Sequence, residues 1–396
     1  MEQDFAVSEK IERIGVRVFR VPVTSPVVTS FGAMRSRPAV FVRIEDSEGA
    51  FGWGEIFANW PAAGAEHRAR LLVEDIGDLV FQNVFTSRTA LFESLTRTTH
   101  IRALQCGEWG PFSAVIAGLD IAFHDLLARK ANVQIAHFLN AEFRSAVPTY
   151  ASGIHIGGAR AAIDRCRSLG YNAFKVKVGF DMASDISQTT RAAGMLEPGE
   201  RLFADANQAW NAESAAVFLS GVKEIPIGWI EEPIPADAPA ADWLHLAQST
   251  RIPIAGGENI SGSRSFREAM ASGVFGVIQP DIAKWGGFSG CFPVAREAIE
   301  KGLLYCPHFL GGGIGLAASA SLLAAAGGKG LLEVDANANP LREAFGLWPK
   351  DGTRHSFPIS EQPGLGIVEL PAELTAFETL TATITSSGLR SVTSHN

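Results

Sequence analysis

The chain has 396 residues, 46% of them hydrophobic and 19% charged, enough for a large buried core and for two or three domains, one of them an α/β barrel. Thirty-four Lys and Arg against 42 Asp and Glu give a net charge of -8, the wrong sign for a protein that holds phosphate backbones, so nucleic acid is excluded as a partner. The segment from Met1 to Lys10 is acidic (Glu2, Asp4, Glu9) and reads as neither signal nor transit peptide, so a cytoplasmic location is expected.

In chain order, Ile14 to Val21 alternates as a strand, Pro22 to Arg37 reads as a polar loop, and Ala39 to Ile44 alternates again, predicting a small sheet. From Glu66 to Asn140 the periods are helical, so residues 1–140 read as an α+β domain. Cys106, Cys166, Cys291 and Cys306 are too scattered for a disulfide framework and are expected to be reduced and mostly buried. The longest apolar stretch, Ile314 to Ala326, is shorter than the roughly 20 residues that span a bilayer, so no membrane segment is expected.

Residues 147–350 alternate short apolar runs with helical patterns, the signature of βα units on a parallel sheet. Eight strands are expected: Pro148–Ser152, Ala173–Val178, Arg201–Ala204, Gly228–Ile230, Ile252–Ala255, Val274–Gln279, Leu303–Cys306 and Gly330–Leu332. Eight in succession point to a closed barrel. Residues 354–396 carry one more candidate strand at Gly366–Leu370 and are expected to return to the first domain.

Lys177, Asp205, Glu231, Glu258, Asp281, His308 and Glu333 lie at the ends of these strands, separated by 28, 26, 27, 23, 27 and 25 residues. Such a register puts all seven at the C-terminal face, where barrel enzymes build their active sites. Asp205 taken alone could cap a helix, but Asp205, Glu231 and Glu258 on consecutive strands repel one another unless positive charge lies between them. A hard divalent cation answers that, and an all-oxygen donor set favours Mg²⁺ over Zn²⁺. Glu232 and Asp335 point elsewhere by strand alternation.

In Phe174-Lys175-Val176-Lys177 alternation turns both lysines inward. They either form barrel-filling salt bridges or, by like-charge proximity and burial, lower the pKa of one lysine so that it works as a base. Asp281 and His308 close neighbouring strands and pair as carboxylate and imidazole, orienting the ring as a second acid/base. The remaining histidines, His155 among them, are read as structural. Lys177 could instead be the Schiff-base lysine of an aldolase-like barrel. Gly311-Gly312-Gly313 could cradle a phosphate.

Together, Lys175-Val176-Lys177, Asp205-Ala206-Asn207, Trp229-Ile230-Glu231-Glu232-Pro233, Gly257-Glu258-Asn259, Gln279-Pro280-Asp281, Pro307-His308, Gly52-Trp53-Gly54-Glu55 and Pro363-Gly364-Leu365-Gly366 resemble the enolase superfamily, in its mandelate racemase subgroup. The resemblance covers nearly the whole chain. It implies an α/β fold, a modified (β/α)7β barrel under an α+β capping domain, and a homo-oligomer. It makes Asp205, Glu231 and Glu258 the Mg²⁺ ligands, Lys177 one acid/base, and His308 with Asp281 the other. Lys175 is then an electrostatic partner of the substrate carboxylate, Glu333, if protonated, a hydrogen-bond donor to the same group, and Asn207 a further substrate contact.

The implied chemistry is abstraction of the proton α to a carboxylate, giving an enediolate. The stretch from Pro307 to Arg342 looks like acid-sugar enzymes of the subgroup, so dehydration of a small acid sugar is expected. Racemisation or epimerisation of a 2-hydroxy acid, or cycloisomerisation of an acid-sugar lactone, are the alternatives. Arg35 and Arg37 either reach a distal carboxylate or are solvated surface residues. The loop Phe57-Ala58-Asn59-Trp60-Pro61, with Phe31, is more aromatic than a purely polar sugar pocket suggests; an apolar lid can still exclude water over a polar substrate, and it leaves room for a less hydroxylated 2-hydroxy acid.

Overall fold

The structure, a computed structural model, describes residues 7–349 and 352–395. The sequence-based segment bounds at residues 1, 350 and 396 and the acidic residues Glu2 and Asp4 lie outside the described residues.

Three early strands, β1 (Ile11–Thr29), β2 (Gly32–Asp46) and β3 (Phe51–Ile56), open an antiparallel sheet. Its inner face carries Ile14, Val16, Val18, Val40, Val42 and Ile44, all fully buried, as period-two alternation requires. The segment from Pro22 to Arg37, expected to be a loop, instead continues the hairpin to a tip at Ser30 and Phe31. The register shifts between Pro22 and Val27, and a bulged two-stranded ribbon tolerates proline there.

The helix Trp109–Lys130 lies across this sheet. A Cβ on Gly52 or Gly54 would stand 2.0 Å from the carbonyl oxygen of Ala122 or Gly118, so the two glycines let helix and strand meet at backbone distance. By length and composition this 22-residue helix is apolar enough to cross a membrane, which the sequence reading overlooked. It is 89% buried within the protein, and its Asp120, His124 and Asp125 are buried with it, as fits a core helix.

The second sheet is parallel. Strands β4 (Ala146–His155), β5 (Ala173–Lys177), β6 (Arg201–Asp205), β7 (Ile227–Glu231), β8 (Ile254–Gly256), β9 (Phe275–Ile278) and β10 (Leu304–Tyr305) follow one another around it, and β11 (Leu332–Asp335) joins beside β4. Between β10 and β11 there is packing rather than a ladder: a Cβ on Gly330 would lie 1.7 Å from the Tyr305 carbonyl oxygen. Tyr150, Phe203 and Trp229 fill the interior, the last two stacked 3.5 Å apart. A short antiparallel strand, β12 (Ser356–Pro358), pairs with β4.

The expected strand Gly366–Leu370 does not form, because that stretch runs through bends between Pro363 and Pro371. The return to the first sheet is made later, by β13 (Glu378–Thr385) beside β1 and β14 (Arg390–Ser394) outside it. The four cysteines are free, and all but Cys106 are buried.

Candidate active site

Parallel register determines which side chains meet. Lys177, Asp205 and Glu231 are the last residues of β5, β6 and β7 and stand directly opposite one another. Glu258, Asp281 and His308 follow within three residues of β8, β9 and β10, while Glu333 lies inside β11 rather than after its strand. All seven are buried or nearly so, at the C-terminal mouth of the barrel.

Lys175 Nζ lies 2.7 Å from both Glu231 oxygens and 2.7 Å from Glu333 Oε1, and 3.6 Å from Asp205. Lys177 Nζ lies 2.5 Å from Asp205 Oδ2. Burial would lower both ammonium pKa values, but the carboxylates outweigh it and both are held above the ordinary lysine range. The sequence expected the opposite for one of them; acidic groups around the pair decide the sign. Burial and the nearby Asp205 push Glu231 up to about 7. Glu333 and Asp205 stay below the usual carboxylate range because adjacent lysines more than offset their burial, so Glu333, expected as a protonated donor, is held ionised in this arrangement.

Across the mouth, Asp281 Oδ2 bonds His308 Nδ1 at 2.7 Å, and Asp281 Oδ1 accepts the backbone N–H groups of Ala283 and Lys284 at 2.8 and 3.1 Å. These contacts fix the carboxylate, which fixes the ring. His308 Nε2 faces Glu258 Oε2 at 3.4 Å. Burial would lower the imidazole pKa, but Glu258, Glu333 and Asp281 raise it to about 9.

Two residues given no role by the sequence complete this ring of charge. Lys284 Nζ sits 3.2 Å from Glu258 Oε2 and 2.9 Å from Asn259 Oδ1, with the Phe57 ring 5.0 Å away. Gln279 donates to Glu231 at 2.8 Å. Lys284 falls one helical turn after Asp281, a spacing that offered a signal. Glu232 and Asp335 face other partners: Asn259 donates to Glu232 at 2.9 Å, and Arg37 Nη2 lies 2.5 Å from Asp335.

The antiparallel domain closes the mouth. Ser30 at the hairpin tip donates to the Asn207 carbonyl at 2.7 Å, and Asn207 N–H donates to Asp205 Oδ1 at 2.8 Å. Phe31 meets Trp60 edge to face at 5.7 Å, joining the two capping segments. Phe57 N–H donates to the Ala283 carbonyl at 3.2 Å, and Asn59 to that of Leu310 at 2.6 Å. Arg35 is exposed on the hairpin, whereas Arg37, read as either distal binder or solvated residue, is buried against Asp335.

The glycine run after β10 already has its anion. Glu55 of β3 accepts the N–H groups of Gly312 and Gly315 at 2.5 and 2.7 Å, at the start of the helix Gly313–Ala326. Its carboxylate holds the place that the sequence allowed for a substrate phosphate.

Asp205, Glu231 and Glu258 present oxygen alone, on three consecutive strands, a donor set suited to Mg²⁺. As the side chains stand, no three acidic, His or Cys groups among the described residues converge tightly enough to enclose an ion. Each of the three carboxylates instead leans on an ammonium, of Lys177, Lys175 or Lys284. The positive charge that their proximity demands is thus supplied by the chain itself in this arrangement.

Residues 13–140 match the mandelate racemase / muconate lactonizing enzyme N-terminal domain, and residues 158–371 the enolase C-terminal domain-like family. The D-galactarolactone cycloisomerase of Agrobacterium fabrum is 26% identical over 90% of this chain and 96% of its own length. A crystal structure of a mandelate racemase/muconate lactonizing enzyme from Bordetella bronchiseptica is 43% identical, with a TM-score of 0.87 over 93% of this chain and 99% of its own. A Streptomyces coelicolor racemase with bound magnesium shares the fold at a TM-score of 0.81 and 23% identity, over 93% of this chain and 99% of its own. Further relatives at 27% and 23% identity are named D-galactonate dehydratase (Klebsiella pneumoniae, 70% of this chain and 73% of its own) and N-succinyl-L-Arg/Lys racemase (Bacillus cereus, 74% and 78%).

Proposed function

The chain belongs to the mandelate racemase/muconate lactonizing enzyme family of the enolase superfamily, and from that premise we propose that it dehydrates a small acid sugar through an enediolate. The observation that carries this reading is the placement of two acid/base groups, Lys177 and the Asp281–His308 pair, with the carboxylates of Asp205, Glu231 and Glu258 on the strands between them. We read residues 1–140 with the C-terminal segment 354–396 as the cap, apart from β12, which pairs with barrel strand β4, and 147–350 as the catalytic barrel.

Held by Asp205, Glu231 and Glu258, Mg²⁺ would supply the positive charge against which the second negative charge of an enediolate develops. Lys175 balances the charge of the substrate carboxylate and Glu333, once protonated, donates a hydrogen bond to it, with Asn207 beside them and Arg35 at the rim. Lys177 Nζ, once deprotonated, takes the α-proton and the C–H electron pair passes into the enediolate. His308, protonated and held by Asp281, gives its proton to the β-hydroxyl; the C–O bond breaks, water leaves, and the enol tautomerises to a 2-keto acid. The cap loops keep bulk water from the intermediate.

Cycloisomerisation is the second reading, favoured by the relative that aligns with 90% of this chain. Screening mono- and diacid sugars and their lactones with Mg²⁺ separates the two. A 2-keto acid product supports dehydration; an acid-sugar lactone consumed without keto acid supports cycloisomerisation. No α-proton exchange with any acid in the panel would overturn both.

A further inference from the structure

The register that lines up Lys177, Asp205 and Glu231 has a fourth member. On β4 the residue opposite Lys177 is His155, so one row runs His155, Lys177, Asp205, Glu231 across four adjacent strands. Parallel neighbours in register project to the same side of a sheet, and this row projects into the mouth.

His155 reaches that side only because β4 is bulged. Tyr150 points into the barrel against Phe203 and Trp229, so plain alternation would turn Ile154 inward and His155 toward the helices. Between Ala151 and Ile154 the pairing with β5 gains a residue, and Gly153 there has a φ of +76°. Ile154 consequently packs in the outer core with Val176, and His155 faces the mouth. A side chain at Gly153 would collide with Asn337 and Asp335, whose Asn337 amide donates to the Gly153 carbonyl at 3.0 Å, so the bulge is locked from β11.

The ring is also oriented. It stacks on Phe180 at 4.3 Å with 29° between planes, and its Nδ1 accepts the Gly157 N–H at 3.0 Å. That leaves the ring proton on Nε2. Among the described residues no group takes up this donor, and His155 is exposed at the opening. Phe180 follows Gly179, over which the hairpin tip packs, Ser30 standing 3.7 Å from where a Gly179 Cβ would be.

Resting on the acid-sugar reading, we propose that His155 binds substrate: its Nε2–H donates to a hydroxyl oxygen at the end of the acid remote from the reacting carboxylate. Lys175 and Glu333 lie deeper in the barrel, where the carboxylate is handled, and His155 ends its strand at the rim. The residue therefore selects chains long enough to carry hydroxyls beyond the reacting carbons, and the bulge at Gly153 is the device that presents it.

The test is calorimetric binding to the Mg²⁺-loaded protein of D-galactonate and of lactate, which keeps the carboxylate and 2-hydroxyl but lacks the far hydroxyls. His155→Phe keeps the stack on Phe180 and removes the donor; His155→Gln restores an N–H. The preference for galactonate over lactate should fall about tenfold in His155→Phe and less than about threefold in His155→Gln. An unaltered preference in His155→Phe, an equal loss for both ligands, or no galactonate binding by the wild type would overturn the assignment. Wild-type binding without α-proton exchange would instead overturn the proposed reaction and leave the His155 comparison readable.

Discussion

Arg37 on the cap hairpin and Asp335 at the end of β11 form an ion pair of 2.5 Å in which both side chains are only 3% exposed. It joins the hairpin to the barrel strand that carries Glu333. Removing one partner strands a buried charge, so Arg37→Met is expected to cost about 3–5 kcal/mol, with Arg37→Met/Asp335→Leu recovering most of it. Denaturant unfolding of both singles and the double closes the cycle; additive losses would contradict the pairing.

Glu55 makes stability depend on pH. Burial raises its carboxyl from 4.5 to about 7, only partly offset by the N–H groups of Gly315 and Gly312, with Asp281 nearby adding to the rise. The folded protein therefore holds this proton more tightly than the unfolded chain, and stability falls as pH rises through that window. Full passage is worth about 3 kcal/mol. The difference in melting between wild type and Glu55→Gln, followed from pH 3 to 9, should be level at the acid end, change between about pH 4.5 and 7, and level off above that window. A difference independent of pH would refute the shift.

How much of this could be read from residues alone follows from where the information lies. The barrel strands were legible because apolar runs recur at a regular spacing, and an ionisable residue near the end of seven of the eight places itself on one face. Pro22 to Arg37 misled because Pro22 and Pro26 with Gly32 look like a loop, yet a bulged ribbon accommodates them. Glu55 and Arg37 gained their roles through partners on other elements, 257 residues away for Glu55 and Gly312, which no local pattern announces. The lysines were placed correctly but their pKa direction was not, since it depends on how many carboxylates the fold gathers around them.

Asp281 acts through His308. Asp281→Asn reverses one hydrogen-bond preference at Nδ1 and releases the ring tautomer, so kcat should fall about 10²–10⁴-fold while KM for the substrate moves far less. Steady-state kinetics on the acid identified by screening reads this split. A raised KM with kcat unchanged would assign Asp281 to binding instead.

Chelation separates metal from fold. With Lys175, Lys177 and Lys284 already paired to the three carboxylates, EDTA treatment should abolish turnover while far-ultraviolet circular dichroism stays native. Mg²⁺ should restore activity and raise the melting temperature with the logarithm of its concentration once that exceeds its Kd. Turnover that survives exhaustive chelation would refute the metal site.

The most direct test of the central claim is α-proton exchange in deuterated water, followed by NMR on both α-epimers of the acid sugar that turns over. The two-base account predicts that Lys177→Ala abolishes exchange of one epimer and His308→Asn that of the other, with 2-keto product lost in both. Full turnover in either variant, or loss of the same epimer's exchange in both with the other untouched, would contradict it.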